Sequence, residues 1–410
     1  MLSEHVPTHP VQFLRPGHPG GHPGGGAAVH PGPHGDDQAV APHGAPPLRL
    51  MFWETTKACN LQCKHCRAVP EKQLGPTTLN TAESFRLMDQ IAEVTKPVLI
   101  LSGGEPLYRP DIFEIAEYGV GLGFRMALAT NGTLVDETIA RRIADVGIMR
   151  VSVSLDGAFE ATHDGFRGLP GAFQAALRGI RHLRDQGVSV QINSTIAKHN
   201  VTELPQMLDL ALSLGADALH LFMLVPVGCG LELAESAMLP ADEYERVLHW
   251  FYEQSKSVDI DLKATCAPHY FRIRAQRIQE ERAQGDRSTP FIAHGTRMKA
   301  APDPNGGRPL STMTRGCLAG TSVCFVSHEG EVYPCGYLPV SAGNVRQQTF
   351  KSIWEDATVF RNLRDPEGLD GKCGVCRYHG ICSGCRARAY AATGNYLSEE
   401  PYCSYDPAGD

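Results

Sequence analysis

The placement of thirteen cysteines constrains this 410-residue chain more than any other feature. Cys59, Cys63 and Cys66 fall within eight residues, Cys229 and Cys266 stand alone, and eight more lie between Cys317 and Cys403. An odd count cannot pair fully into disulfides, and no basic-then-apolar leader opens the chain. A reducing cytoplasm is therefore the expected compartment, where grouped cysteines read as metal or redox sites. A formal net charge of −7 argues against a polyanion binder, so no nucleic-acid partner is expected. The longest apolar stretch, 216–227, is interrupted by Asp217 and His220 and falls short of the ~20 residues a membrane span needs.

Residues 1–47 carry seven of the 17 histidines and ten of the 29 prolines with almost no aliphatic periodicity, and read as a disordered tail. From Leu48 onward short apolar runs alternate with amphipathic stretches: 48–56, 97–103, 124–132, 148–157, 188–196 and 217–226, separated by helical patterns near 81–95, 110–121, 135–146, 171–186, 201–214 and 241–256. Six βα units without a Gly-x-Gly-x-x-Gly turn after the first strand predict an α/β fold, a partial (β/α)6 TIM-like barrel over 48–256. Polar residues gather where the runs end, at the face where a barrel carries its chemistry. Residues 257–312 read as a polar, partly helical connection. In 313–410 a hairpin turning at Glu329-Gly330 and a helix over 351–364 precede a cysteine-dense stretch short of aliphatics, which metal clusters would have to stabilise.

Cys59-x3-Cys63-x2-Cys66 after a strand suits one corner of a cubane 4Fe-4S cluster, three soft thiolates leaving one iron open. The alternative is a structural zinc site with His65 as an awkward fourth ligand. Cys317, Cys324, Cys335, Cys373, Cys376, Cys382, Cys385 and Cys403 would satisfy two four-thiolate clusters. The Cys-x2-Cys pairs of 373–385 also suggest a zinc ribbon, although their five-residue spacer is short of the usual ~15–20. For Cys229 and Cys266 the plain reading is a buried small apolar residue. Yet Lys263-Ala-Thr-Cys266-Ala-Pro-His269-Tyr270 gathers a thiol, an imidazole and a phenol in a candidate substrate segment.

The three-cysteine loop resembles that of the radical S-adenosylmethionine (SAM) superfamily, over about residues 50–226. The resemblance implies SAM on the open iron. Gly103-Gly104-Glu105-Pro106 would hold its amino group, with Ser154, Asp156, Asn193, Thr195 and Leu224 in positions that contact ribose, carboxylate and adenine. His65 departs from the commoner aromatic there. The implied chemistry is reductive cleavage of SAM to a 5′-deoxyadenosyl radical, with an electron donor such as a flavodoxin or ferredoxin. Cys317-x12-Gly330-x4-Cys335 and the later cysteines resemble the SPASM extension, with one departure, x2 before Cys385 where x3 is common. Family wiring would place Cys317, Cys324, Cys335 and Cys385 on one auxiliary 4Fe-4S cluster and Cys373, Cys376, Cys382 and Cys403 on another, giving one or two such clusters.

The segments around Cys317 to His328, Pro334 to Pro339, Cys382 to Ala392 and Cys266 resemble the tetrapyrrole-processing subgroup, the alternative haem b synthases and haem d-type enzymes. That resemblance implies oxidative decarboxylation of two propionates of Fe-coproporphyrin III to vinyls. Arg386, Arg388, Arg272 and Arg274 are candidate carboxylate partners, against the plain reading of surface charge. Cys266 and His269 are candidate catalytic residues or iron ligands. Propionate removal, a peptide-modifying maturase and a metal- or haem-carrying protein are the alternatives.

Overall fold

The computed structural model describes residues 45–286 and 316–409. Most of the tail expected over 1–47, and the 257–312 connection from 287 onward, lie outside them. Pro47–Asp410 forms one unit.

Its frame is a ten-stranded sheet in the order β10-β9-β8-β1-β2-β3-β4-β5-β6-β7. Six strands follow the apolar runs: β1 Leu50–Glu54, β2 Val98–Ser102, β3 Arg125–Thr130, β4 Arg150–Ser154, β5 Ser189–Ile196 and β6 Ala218–Met223. All pair in parallel with their sequence neighbours. The crossover helices are α1 Thr81–Val94, α2 Ile112–Gly121, α3 Glu137–Val146, α4 Glu160–Arg167, α5 Ala172–Asp185 and α6 Leu204–Ser213. Local chemistry sets their ends. Asn80 and Glu83 close a capping box on α1, Asp136 caps α3, and Gly147 ends α3 in the left-handed region.

Two additions extend the six-strand expectation. β7, Asp261–Thr265, lies in the stretch read as a connection and pairs in parallel with β6. At the other edge β8, Val323–Val326, pairs in parallel with β1. The predicted hairpin follows, β8 turning through Gly330 into β9, Glu331–Tyr333, which pairs with β10, Gly343–Asn344. β7 escaped detection because three of its five residues, Asp261, Lys263 and Thr265, are polar and turn to one face.

That face follows from register. Met51, Leu99, Met126, Leu128, Val151, Val190, Leu219 and Leu262 fall on one side of the sheet, which the helices cover. The alternate residues line the lumen, and on β4 to β7 they are mostly polar: Ser154, Asn193, His220 and Lys263 share one register level. After α7 (Ala234–Ala237), α8 (Ala241–Ser257) and α9 (Tyr270–Ala283), the chain enters the cysteine-rich region. There the helix expected over 351–364 is two, α10 Phe350–Asp356 and α11 Thr358–Arg364, broken at an extended Ala357 so that Trp354 and Phe360 pack edge to face at 5.1 Å. Two short helices, α12 Gly371–Gly374 and α13 Arg386–Thr393, complete it.

Candidate active site

The loop leaving β1 carries Cys59, Cys63 and Cys66, and neighbouring elements grip its backbone so closely that only glycine fits. A Cβ on Gly104 would lie 2.4 Å from the Ala58 carbonyl, one on Gly168 2.6 Å from Gln62 O, and one on Gly228 2.2 Å from Arg67 O. Cys229 braces the same loop, its N–H donating to Cys66 O at 2.8 Å and its thiol to Ala68 O at 3.3 Å. Donors reach the sulfurs: Leu61 N at 3.4 Å and Asn131 Nδ2 at 4.0 Å from Cys59, Arg167 Nη1 at 3.7 Å from Cys63. Burial pushes the Cys59 thiol up to about 12, helped by the Glu105 carboxylate and the thiols of Cys63 and Cys66. Buried thiols of this kind ionise only against a cation, and three soft sulfurs with N–H donors around them fit an iron-sulfur cluster.

Next to this loop, Gly103 and Gly104 remain partly accessible while the Glu105 carboxylate is fully buried. It accepts from Thr130 Oγ1 and Asn131 N, both at 2.8 Å, and from Leu107 N at 3.1 Å; burial nevertheless raises it to about 7. Its side chain thus ties the end of β3 to the loop leaving β2, while its backbone N–H donates to Ala58 O at 2.7 Å, and the two glycines are the accessible part of the motif. Asp156 is equally enclosed. Burial opposes its ionisation, yet Arg167 Nη2 at 2.7 Å and His65 Nε2 at 3.3 Å hold it below the ordinary carboxylate range, and Thr195 N donates to it at 2.7 Å. Ser154, Asn193 and Thr195 face the lumen. Leu224 is buried against Ala197 and Met238. His65 stacks on Phe166 at 4.1 Å, and His199 lies tilted against the same ring at 4.0 Å, so the imidazole stands in for an aromatic ring; burial lowers it to about 3 and keeps it neutral.

The C-terminal thiols fall into two groups. Cys373, Cys376, Cys382 and Cys403 line one pocket together with His269, Arg272 and Lys372. Each sulfur meets a donor: Glu400 N at 3.3 Å and Arg386 Nη2 at 3.7 Å on Cys373, Tyr378 N at 3.4 Å on Cys376, Gly384 N at 3.4 Å on Cys382, and Arg272 Nη2 at 3.9 Å on Cys403. His269 is fully buried with both ring nitrogens unpartnered. Among the described residues no three His, Cys, Asp or Glu side chains converge tightly enough for a single ion. Thiols ranged around a cavity suit a polynuclear cluster better than one zinc.

The second group holds Cys317, Cys335 and Cys385. Cys335 is pushed up to about 12 by burial, with Cys317 and Cys385 as charged neighbours. Cys324 does not join it. Strand parity is the reason: Cys324 sits opposite Met51 on the helix-covered side of the sheet, fully buried, with Arg364 of α11 as its charged neighbour. Cys266 stands with the group instead.

The candidate carboxylate partners are spent internally. Arg388 forms a bidentate pair with Glu400 at 3.0 and 3.1 Å, with neither side chain exposed. Arg386 donates to the carbonyls of Tyr396 and Ser398 at 3.0 and 2.7 Å. Arg272 pairs with Glu245 and Gln276, and Arg274 packs half-buried beside Tyr270 and Tyr252. Two residues escaped sequence reasoning. Arg167 lies 104 positions from the cysteine it touches and belongs to no motif. Lys263 sits within a segment that was noted, but only the register of β7 turns it to the lumen, where it has no ion-pair partner within 4 Å among the described residues.

Comparison with known proteins follows the same division. Residues 53–211 match the family model of the radical SAM superfamily, and residues 317–386 that of an iron-sulfur cluster-binding domain, SPASM. The AdoMet-dependent heme synthase of Methanosarcina barkeri (strain Fusaro / DSM 804) is 53% identical over 88% of this chain and 97% of its own. The pre-heme d1 synthase of Dinoroseobacter shibae is 31% identical over 87% and 86%. The solved structure of anSMEcpe with bound AdoMet superposes with a TM-score of 0.61 at 18% identity, covering 87% of this chain and 94% of that one, a likeness of fold.

Proposed function

This chain belongs to the radical SAM superfamily, among the AdoMet-dependent heme synthases, and on that premise we propose that it converts two propionates of Fe-coproporphyrin III to vinyls, yielding haem b. The observation that carries the reading is the presence in one chain of a three-thiol loop at the lumen and a separate thiol-lined cavity. Removing a hydrogen atom from the propionate β-carbon leaves a neutral radical. Expelling carbon dioxide to form an alkene from the carboxylate then releases one electron, so the reaction needs an oxidant as well as a hydrogen abstractor.

When bound, a cluster on Cys59, Cys63 and Cys66 with SAM supplies the 5′-deoxyadenosyl radical, and clusters on the C-terminal thiols supply an electron acceptor. The protein orients and excludes water. Ser154, Asn193 and Thr195 would face the co-substrate from the lumen wall, and Asp156 positions Thr195 and His65. Along β4 to β7, Lys263 and Arg150 share the lumen face with one carboxylate, Asp261, leaving a local cationic excess that a propionate would neutralise. A flavodoxin or ferredoxin is the class of electron donor that the chemistry calls for.

The test is anaerobic incubation with Fe-coproporphyrin III, SAM and reductant. Mass spectrometry should find a divinyl product, with one 5′-deoxyadenosine per vinyl. Loss of whole propionate chains would assign the chemistry to the haem d-type relatives, and an unreacted porphyrin with SAM intact would overturn the reading. Lys263→Gln should raise the KM for the porphyrin about tenfold, as expected for one lost charge-assisted contact, with SAM cleavage preserved.

A further inference from the structure

Four thiols meet near α13 from four distant parts of the chain, and only three of them belong to the set that the sequence motifs bring together. We propose that Cys266, on the loop leaving β7, is the fourth thiolate of the auxiliary 4Fe-4S site formed by Cys317, Cys335 and Cys385, in the place expected for Cys324. The inference rests on the reading that the C-terminal thiols hold clusters.

Three independent observations support the exchange. Cys324 is excluded by parity: its neighbours Val323 and Phe325 lie opposite Leu50 and Phe52, whereas its own side chain shares the helix-covered face with Met51. No rotamer change carries a strand side chain through the sheet, so reaching the other thiols would require a one-residue slip of β8. Cys266, by contrast, packs with Cys335 against the cluster of Val225, Val227, Leu338, Cys385 and Ala387. Cys317 is delivered to the same place because Gly316 and Cys317 donate backbone N–H groups to Ile381 and Cys382, the residues leading into Cys385.

The third observation is the backbone of Cys266. Its φ of 55° is left-handed, and Ser383 is the other non-glycine residue so placed among the described residues. Ser383 lies between Cys382 and Cys385. Such conformations are disfavoured for a residue with a Cβ and persist where the surroundings over-determine them. Here Tyr244 Oη donates to the Cys266 carbonyl at 2.9 Å and fixes the turn that aims the thiol inward. A closed set of four thiolates leaves no open iron, so this site would relay electrons and not ligate the substrate, and Cys266 is thereby withdrawn as a porphyrin iron ligand.

The test uses the full-length chain carrying Cys59→Ala, Cys63→Ala and Cys66→Ala, reconstituted anaerobically, with iron analysis and EPR of the reduced protein. This parent should hold ~8 irons in two cubanes. Adding Cys324→Ala should change neither iron nor spectrum. Adding Cys266→Ala should remove one to four irons, or leave an open iron whose EPR signal shifts on addition of imidazole. Cys266→Ser should recover iron with altered g values, because an alkoxide replaces the thiolate. The persisting signal of the Cys373, Cys376, Cys382 and Cys403 site reports that the variants are folded. A Cys266→Ala protein with the parent's iron and spectrum, or loss of a cluster on Cys324→Ala, overturns the assignment. A parent holding no iron would overturn the underlying reading as well, a result distinct from either.

Discussion

In the barrel the largest fully buried side chains are apolar or aromatic, Trp53 and Met51 among them, and buried carboxylates such as Glu54, Glu105 and Asp156 stand at or just past the strand ends. In the region after Gly316 the fully buried set includes Arg386 and Arg388 beside Trp354 and Phe360, with Glu400 and several thiols. The first region draws its stability from ordinary apolar burial and can present an open polar face. The second has a core of ions and sulfur, in which each group needs a partner and four thiols need a cation. A core of that kind is costly to bury unless every charge is matched. The cysteine-rich region should accordingly depend on its occupants far more than the barrel does.

The largest expected effect separates the two regions outright. Replacing Cys59, Cys63 and Cys66 by Ala should abolish SAM cleavage, a loss of at least about a thousandfold given that the cofactor carries the chemistry. About four irons should go with it while the C-terminal iron remains. Loss of all iron would merge the regions into one unit.

Next in size is the Arg388–Glu400 pair. Arg388→Leu strands a fully buried carboxylate and should destabilise the protein by about 3–5 kcal/mol, whereas Arg388→Leu with Glu400→Leu should recover much of it. Limited proteolysis across a urea series should show cutting beyond residue 316 before the barrel is cut. Simultaneous cutting of both would contradict the division.

A smaller effect probes the seam. Glu54, at the end of β1, accepts from Arg67 of the cluster loop and lies 2.9 Å from His328 of the hairpin. Burial opposes its ionisation, but Arg67 and His328 bring it down to about 2 from an ordinary 4.5. Its folded value is depressed, so the stabilisation is complete above pH 4.5 and is lost as pH falls toward 2. The gap corresponds to roughly 3 kcal/mol. Melting temperatures between pH 2 and 7 should fall with acid in the parent and much less in Glu54→Gln. The smallest effect is deletion of residues 1–44, which should leave iron content and turnover unchanged within error, since Leu48 is where the buried apolar pattern begins.

What was legible in the sequence follows the same line. Alternating apolar runs located six strands and the helices between them except α4, because burial on a helix-covered sheet demands that pattern. The same logic failed for β7, whose lumen side is Asp261, Lys263 and Thr265, a pattern that mimics a loop. The three-thiol loop was readable from spacing, and the Gly103-Gly104-Glu105 turn only through the resemblance that the loop carries. Arg167 was not, because its contact with Cys63 is made only when α4 folds over the loop. In the C-terminal region spacing gave the number of thiols but not their grouping, since Cys324 and Cys266 differ in parity and path. Arg386 and Arg388 looked like surface cations because a buried ion pair has no periodic signature.

The most direct test of the division of labour is the ratio of 5′-deoxyadenosine to vinyl formed in Cys373→Ala and Cys376→Ala. If the barrel loop generates the radical and the thiol-lined cavity houses the acceptor, these variants should cleave SAM at near the parent rate yet form little vinyl. The ratio should rise steeply from near one per vinyl. A variant shown by iron analysis to lack that auxiliary cluster, yet keeping the parent ratio, would mean that the electron leaves by another route and that these cysteines are structural.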